Sequence, residues 1–276
     1  MNIIFYLIIF IMGTVFGSFL TLATYRIPLN QNITHEHSYC PSCKHKLNIL
    51  DLIPVLSYVF LGGKCRYCKK KIGSRYFIIE TLTGISFVIL ALALNISVSN
   101  LTKVQVVEFS LGILYIIFLF LIGGIDLEHH TIDKKVLIYG VTISLLDIAY
   151  KYIACTQAGI YYNLNRIIIY ICAIVILCLV NIYKTKNNKT NYSMDLAITL
   201  IIMSLFTYEI TAILTVICTL LIIIIKNIIN KIIKREKYIK ELPIAFYVSI
   251  SNAIIMLTAF MVLFIAYINQ PTIMLI

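Results

Sequence analysis

The chain of 276 residues has no tryptophan, and its 12 Asp and Glu are outnumbered by 23 Lys and Arg. Without Trp, aromatic anchoring at a membrane surface falls to the 19 Tyr and 14 Phe. No basic stretch precedes the first apolar run and no small-residue cleavage site follows it. A removable signal peptide needs both, so this run is read as a permanent span. There is no internal repeat and no glycine-rich nucleotide signature. The basic excess would suggest nucleic acid in a soluble protein. Here it accompanies 61% hydrophobic residues and a mean hydropathy of +0.95. Soluble domains average roughly 45–50% apolar residues, and only a bilayer can hide the surplus. Basic residues in such a chain mark cytoplasmic loops, so no nucleic-acid partner is expected.

Eight apolar runs are present: Ile3–Thr24, Phe77–Ser97, Val104–Gly124, Ile132–Ile153, Arg166–Tyr183, Met194–Tyr208, Ile210–Ile225 and Ile244–Ile268. Most approach the ~20 residues that a spanning helix needs. The stretch from Met194 to Ile225 is long for one span, and it is divided at Tyr208–Glu209 as a tight hairpin. The segment from Arg26 to Arg75 carries nine basic residues against Glu36 and Asp51, which places it in the cytoplasm and the N-terminus outside. Alternation then puts loops 125–131, 184–193 and 226–243 inside as well. The last two hold Lys184, Lys186, Lys189, Lys226, Lys231, Lys234, Arg235, Lys237 and Lys240. Every long basic loop falls on one side, which supports the division at 208–209.

Acids within or beside spans are costly, and six stand there: Glu80, Glu108, Asp126, Asp147, Asp195 and Glu209. The third span runs inward and ends near Asp126. The sixth runs outward and begins near Asp195. Both aspartates therefore sit at one depth, near the inner leaflet, whereas Asp147 lies nearer the outer face. Two carboxylates at one depth suit aspartyl hydrolysis, in which one activates a water and the other keeps a proton for the scissile carbonyl. Each could equally be a helix N-cap or a solvated interfacial acid. His129 and His130 follow Asp126 by three and four residues and read either as tuning groups or as headgroup-facing residues.

Cys40-Pro-Ser-Cys43 and Cys65-Arg-Tyr-Cys68 are separated by 21 residues. Four thiolates in two such knuckles can close a tetrahedral shell around Zn²⁺, and a reducing cytoplasm disfavours disulfides. All four positions are thiolate and none is open for water, so a structural metal is expected. The other reading is reduced surface thiols. His35, His37 and His45 are taken as loop residues. Cys155, Cys172, Cys178 and Cys218 lie mostly in apolar runs and read as packing residues.

These residues resemble the bacterial type IV prepilin peptidases. Gly17-Ser18-Phe19-Leu20 with Tyr25-Arg26-Ile27-Pro28 resembles the family's first-span signature. Asp51-Leu52-Ile53-Pro54-Val55-Leu56-Ser57-Tyr58 and Gly63-Lys64-Cys65-Arg66-Tyr67-Cys68 are similar to its loop. Arg75-Tyr76 with Glu80 and Leu82-Thr83-Gly84 matches the entry to its second span. Asp126-Leu127 with Ile132 resembles its first catalytic motif, and Leu242-Pro243 its C-terminal motif. The first 85 residues are the most specific. The chain departs from the pattern in three places. Tyr192 and Met194 stand where the family has the glycines of Gly-x-Gly-Asp. Ala197 stands where a Lys is common. Ile132-Asp133 replaces Ile-Pro.

The resemblance implies an intramembrane aspartyl endopeptidase of the bacterial cytoplasmic membrane, with Asp126 and Asp195 catalytic. It would remove basic leaders from prepilins or pseudopilins at the cytoplasmic face. It would also N-methylate the new terminus with S-adenosylmethionine, an activity associated with the tetracysteine loop. Arg75 and Glu80 are the candidates for the methyl-donor side. The expected fold is an all-α polytopic membrane protein with about eight transmembrane helices in the lipid bilayer. Residues 1–25 form the first helix, 26–76 a cytoplasmic zinc-binding loop domain, and 77–276 a membrane catalytic domain with seven further helices. Two other readings stay open. One is a catalytically impaired zinc-binding adaptor, which the missing glycines favour. The other is an ion-coupled carrier, which would hold its acids midway along a path.

Overall fold

The computed structural model describes residues 2–32, 38–40, 42–98, 101–159, 164–185, 192–207, 209–232 and 242–269. His35, His37, Lys186, Lys189, Tyr208 and the basic residues from Lys234 to Lys240 lie outside this set. Among the described residues there are nine α-helices: α1 (Asn2–Arg26), α2 (Leu56–Phe60), α3 (Ser74–Ala93), α4 (Lys103–His129), α5 (Lys134–Gln157), α6 (Asn165–Thr185), α7 (Tyr192–Phe206), α8 (Glu209–Ile232) and α9 (Ile244–Asn269). A short 3₁₀ helix (Ile49–Asp51) and isolated β-bridges accompany them.

The fold is all-α, as expected. Lipid offers no partner to a free backbone amide, so an apolar run there must satisfy its own hydrogen bonds as helix. Among the described residues, five helices are long and apolar enough to cross a membrane: Ile3–Arg26, Ser74–Ala93, Lys103–His129, Lys134–Gln157 and Ile210–Ile229. Shorter apolar helices cover Ile167–Val180, Tyr192–Phe206 and Ile244–Ala259, so each of the eight apolar runs has its helix. The break between the sixth and seventh runs is present, with α7 ending at Phe206 and α8 starting at Glu209. On α8, Ile213, Ile217, Leu220 and Ile224 are exposed while Thr215 and Thr219 are buried, an outward apolar face suited to lipid.

The chain divides into two compact units, one of Met1–Ile117 with Leu257–Ile276 and the other of Phe118–Met256. In the first unit α1 and α3 lie side by side and run in opposite directions. The register is fixed by contacts along their length. The Tyr6 hydroxyl donates to the Ile96 carbonyl at 2.9 Å, and Arg75 Nη2 donates to Thr24 Oγ1 at 2.9 Å. Between these points the backbones touch. A Cβ on Gly13 would lie 2.7 Å from Gly84 Cα, and one on Gly17 would lie 2.7 Å from Glu80 Cα. Small residues four apart permit such an approach between membrane helices. Gln105 Nε2 donates to the Leu94 carbonyl at 2.9 Å and so ties α4 to the end of α3.

In the second unit the directions again follow from pairs. Ser144 Oγ and Lys151 Nζ on α5 donate to the Ile202 and Phe206 carbonyls of α7, each at 3.4 Å, so α5 and α7 run the same way. Asn252 Nδ2 of α9 donates to Thr215 Oγ1 of α8 at 3.1 Å, and Lys226 of α8 bonds the Tyr247 hydroxyl, so these two run oppositely. These directions agree with helices that alternate across a bilayer. Gly123 faces the Ser249 hydroxyl with no room for a Cβ, and this brings the start of α9 against the last turns of α4.

Candidate active site and candidate metal centre

Asp126 lies inside α4, which continues three residues beyond it, so the expected loop 125–131 is helical to His129. Its side chain is fully buried, at 0% exposure. A buried carboxylate needs donors, and the fold supplies them from two other helices. The start of α9 is set by Pro243, which has no N–H and does not continue a preceding helix. The first amides of α9 have no partner within the helix. Two of them point here. Phe246 N–H donates to Asp126 Oδ2 at 2.9 Å, and Ala245 N–H donates to the Tyr192 hydroxyl at 3.0 Å. That hydroxyl lies 2.9 Å from both Oδ1 and Oδ2 of Asp126. A negative group at a helix N-terminus is also favoured by the helix dipole.

Asp195 is buried at 5% exposure in the first turn of α7. It stands three residues after Tyr192, and residues three apart share a helix face. The turn that carries Asp195 is thus the turn that holds Asp126. The segment bearing Tyr192 and Met194 is itself helical, so it enters α7 as a regular first turn and needs no glycine conformation. Asp195 is the fourth residue of the helix rather than its N-cap. Asp133, at the other departure, does cap a helix: its side chain accepts from Lys135 N–H at 2.7 Å at the start of α5.

The Glu209 side chain lies outside the described residues. Asp147 pairs with Lys151 at 2.7 Å. Glu108 is exposed. His129 lies 3.9 Å from Glu128. In the first unit, Glu80 is buried and its Oε2 accepts the Val55 N–H at 2.7 Å. Val55 has φ 63° and ψ −55°, and Leu56 N–H donates back to the Pro54 carbonyl at 2.6 Å. This is a γ-turn of the rare sense, strained for a β-branched residue.

The four thiols Cys40, Cys43, Cys65 and Cys68 converge, with all Sγ atoms within 4.8 Å of one another. Cys40 Sγ and Cys68 Sγ are 3.9 Å apart. A tetrahedron of sulfurs at the Zn–S distance of ~2.3 Å has edges of roughly 3.8 Å, so the cluster fits such an ion. The two knuckles are built alike. Lys44 N–H donates to the Cys40 carbonyl and Cys40 N–H to the His45 carbonyl; Lys69 and Cys65 repeat the pattern with Cys65 and Lys70. Lys44 and Lys69 both take left-handed backbone angles, with φ of 58° and 60°. Bridges Tyr39–Lys46 and Lys64–Lys71 close the two knuckles.

Side chains lock one knuckle to the next. Asp51 accepts from Arg66 Nε at 2.5 Å and from the Tyr67 hydroxyl at 3.0 Å, gripping both residues between Cys65 and Cys68. The Tyr67 ring lies tilted against His45 with centroids 3.6 Å apart. Partial desolvation would raise the Asp51 carboxyl, but the Arg66 bond, the Asn48 amide and Tyr67 hold it below the usual value. The Cys43 amide, aimed at Cys40, draws that thiol down to about 6 against its burial. Against the His45 amide, desolvation and the sulfurs of Cys40 and Cys68 push Cys43 up to about 11.

Sequence reasoning selected Asp126, Asp195 and the four cysteines. It noted Tyr192 only as a missing glycine and did not find the α9 amides, although Leu242-Pro243 marked where α9 begins. It also saw Asp51 as part of a motif without its partners.

Residues 11–94 match the family described as the bacterial peptidase A24 N-terminal domain. A prepilin leader peptidase/N-methyltransferase of Myxococcus xanthus is 40% identical over 84 residues, 30% of this chain and 25% of the relative. One of Bacillus subtilis is 32% identical over 132 residues, 48% of this chain and 50% of the relative. One of Vibrio cholerae is 40% identical over 95 residues, 31% and 36% of the two chains. The chain thus spans between 25% and 50% of the length of these curated relatives. No solved structure matches. The matched stretch takes in most of α1, both cysteine knuckles and α3, and through it this multi-pass membrane protein resembles the prepilin leader peptidases, as its first 85 residues implied.

Proposed function

We propose that this chain is an intramembrane aspartyl endopeptidase that removes the basic leader of prepilins or pseudopilins at the cytoplasmic face. The observation that carries the reading is the fully buried Asp126, held by donors from α7 and α9 with Asp195 on the same turn of α7 as one of those donors. A carboxylate kept dry and surrounded by donors is an unfavourable packing choice unless it is used.

In this mechanism the substrate's apolar helix lies in the bilayer and its basic leader stays outside it. The scissile bond then meets the end of α4. Asp126 accepts a proton from the attacking water, and Asp195 donates one to the carbonyl oxygen. The tetrahedral diol then collapses: the C–N bond breaks, Asp126 passes its proton to the leaving amine and Asp195 recovers one from the diol, with no covalent enzyme intermediate. The N-terminus is outside and the loop domain cytoplasmic, in keeping with the basic charge between Arg26 and Arg75.

The four cysteines hold a structural Zn²⁺, which fixes the loop and leaves no position for water. The chain also N-methylates the new terminus, with S-adenosylmethionine supplying the methyl group. Arg75 and Glu80 are assigned to that side. Their bonds to Thr24 and Val55 are consistent with a positioning role, and no step is drawn through the donor.

The test is co-expression with a prepilin of the same genome, read as the intact mass of the pilin N-terminus. Leader loss with the wild type, and none with stably inserted Asp126→Asn or Asp195→Asn, is expected. A mass gain of one methyl group reports the second activity. Normal cleavage by either variant overturns the dyad. No processing by an inserted wild-type protein turns the reading to a zinc-binding adaptor.

A further inference from the structure

Tyr192 stands where the family resemblance would place a glycine, and a glycine has no side chain to offer Asp126. Here the hydroxyl lies 2.9 Å from both carboxylate oxygens and itself accepts the Ala245 N–H at 3.0 Å. Tyr192 is thereby fixed at both ends, by its own helix α7 and by the first turn of α9. The Phe246 amide supplies the other bond, so Asp126 is held by donors from two other helices.

From this geometry we infer that Tyr192 is a positioning residue of the hydrolytic site, holding Asp126 as the acceptor that takes the proton of water while Asp195 carries the proton given to the carbonyl. The inference rests on the peptidase reading above and assigns the two aspartates their separate tasks.

The chemistry is economical. A carboxylate has about four lone-pair directions, and Tyr192 with Phe246 uses part of them. The rest can accept a water. Without a donor at this place Asp126 could rotate about its Cα–Cβ and Cβ–Cγ bonds and lose its aim. Orientation of that kind carries much of the advantage of a bound reactant. The regular helical start of α7 supports the assignment, because the tyrosine needs neither strained backbone nor a loop to reach its partner.

The test uses the full-length protein in detergent or liposomes with a prepilin peptide. Tyr192→Phe keeps the ring and removes the hydroxyl alone. Its kcat is expected to fall about 10- to 100-fold, the range of one hydrogen bond to a charged group, with KM unchanged. Tyr192→Gly should fall at least as far. In parallel, infrared spectra of aspartate-labelled protein isolate the Asp126 carboxyl band as the difference between wild type and Asp126→Asn. That band should move in Tyr192→Phe, which a merely structural residue would not cause.

Cleavage by Tyr192→Phe or Tyr192→Gly at or above the wild-type rate overturns the inference and makes the tyrosine an obstruction. An unmoved carboxyl band overturns it independently of activity. A wild-type protein that does not cleave overturns the peptidase reading, and with it the hydrolytic role, so the two failures are distinct.

Discussion

The cysteine loop and the aspartate site solve the same problem, holding polar side chains in place, by opposite means. The loop is local. Each knuckle closes through backbone bonds between residues four or five apart, and the second repeats the first. The aspartate site is assembled at long range: Tyr192 is 66 residues from Asp126 and Phe246 is 120. Locally built sites tolerate change in the side chains that do not ligate, whereas a site assembled from three helices depends on each helix staying in register. The difference also locates the information. The matched stretch, residues 11–94, contains the local site and not the distant one.

The comparison can be broken most forcefully at the metal. Structural zinc in small sites binds with about 10–16 kcal/mol. Replacing Cys40 and Cys43 together by Ser should leave the purified protein without stoichiometric metal, measured by elemental analysis. Helix content by circular dichroism should hardly change, since the helices do not depend on the loop for their backbone bonds. Broad loss of helix would show that the loop is not local in its effects.

At the other site, Asp126→Asn should lower prepilin cleavage about 10²- to 10⁴-fold, the range for loss of a general base. The metal content should stay as in the wild type. Loss of metal in this variant would join two sites that the comparison separates.

A third change tests the helix pair beneath the loop. Gly17→Ala puts a methyl 2.7 Å from Glu80 Cα, where only backbone can give way. Overpacking of this kind costs about 1–3 kcal/mol. The thermal midpoint in detergent should fall accordingly.

The smallest effect is expected at Asp51. Asp51→Asn weakens the grip on Arg66 and Tyr67, and metal affinity should drop about tenfold, as for other outer-shell partners, in chelator competition. The carboxyl is lowered in the folded loop. Its stabilisation is therefore fully present above the unfolded value of about 3.9 and is lost as the pH falls through the folded value. The difference in thermal midpoint between wild type and variant should shrink as the pH falls below about 3.9 and vanish only once it is below the folded value. A difference that persists there would remove Asp51 from the argument.

Much of this was legible in the sequence because lipid simplifies the code. Apolar length gave the helices, and the basic loops gave their alternation, including the break after Phe206. The cysteine spacing gave the cluster. Other features depended on tertiary contacts that no periodicity announces. Asp126 was expected at a span's end beside a loop, but α4 runs on to His129. Tyr192 looked like a lost glycine because its value lies in reaching across to another helix. The amides of Ala245 and Phe246 carry no side-chain signal at all, and only Pro243 marked where they would be left free.

The close crossing of α1 and α3 has a consequence for chain entropy. The segment between them is a closed excursion whose two ends are already held together by Thr24–Arg75 and Gly17–Glu80. The cost of closing a loop grows with the logarithm of its length, and much of it has been met before any metal arrives. Glu80 shortens the free chain again by holding Val55. An ion bound by the four thiols would therefore have only a short, tethered search to organise, and the loop without it would stay close to the arrangement that binds it.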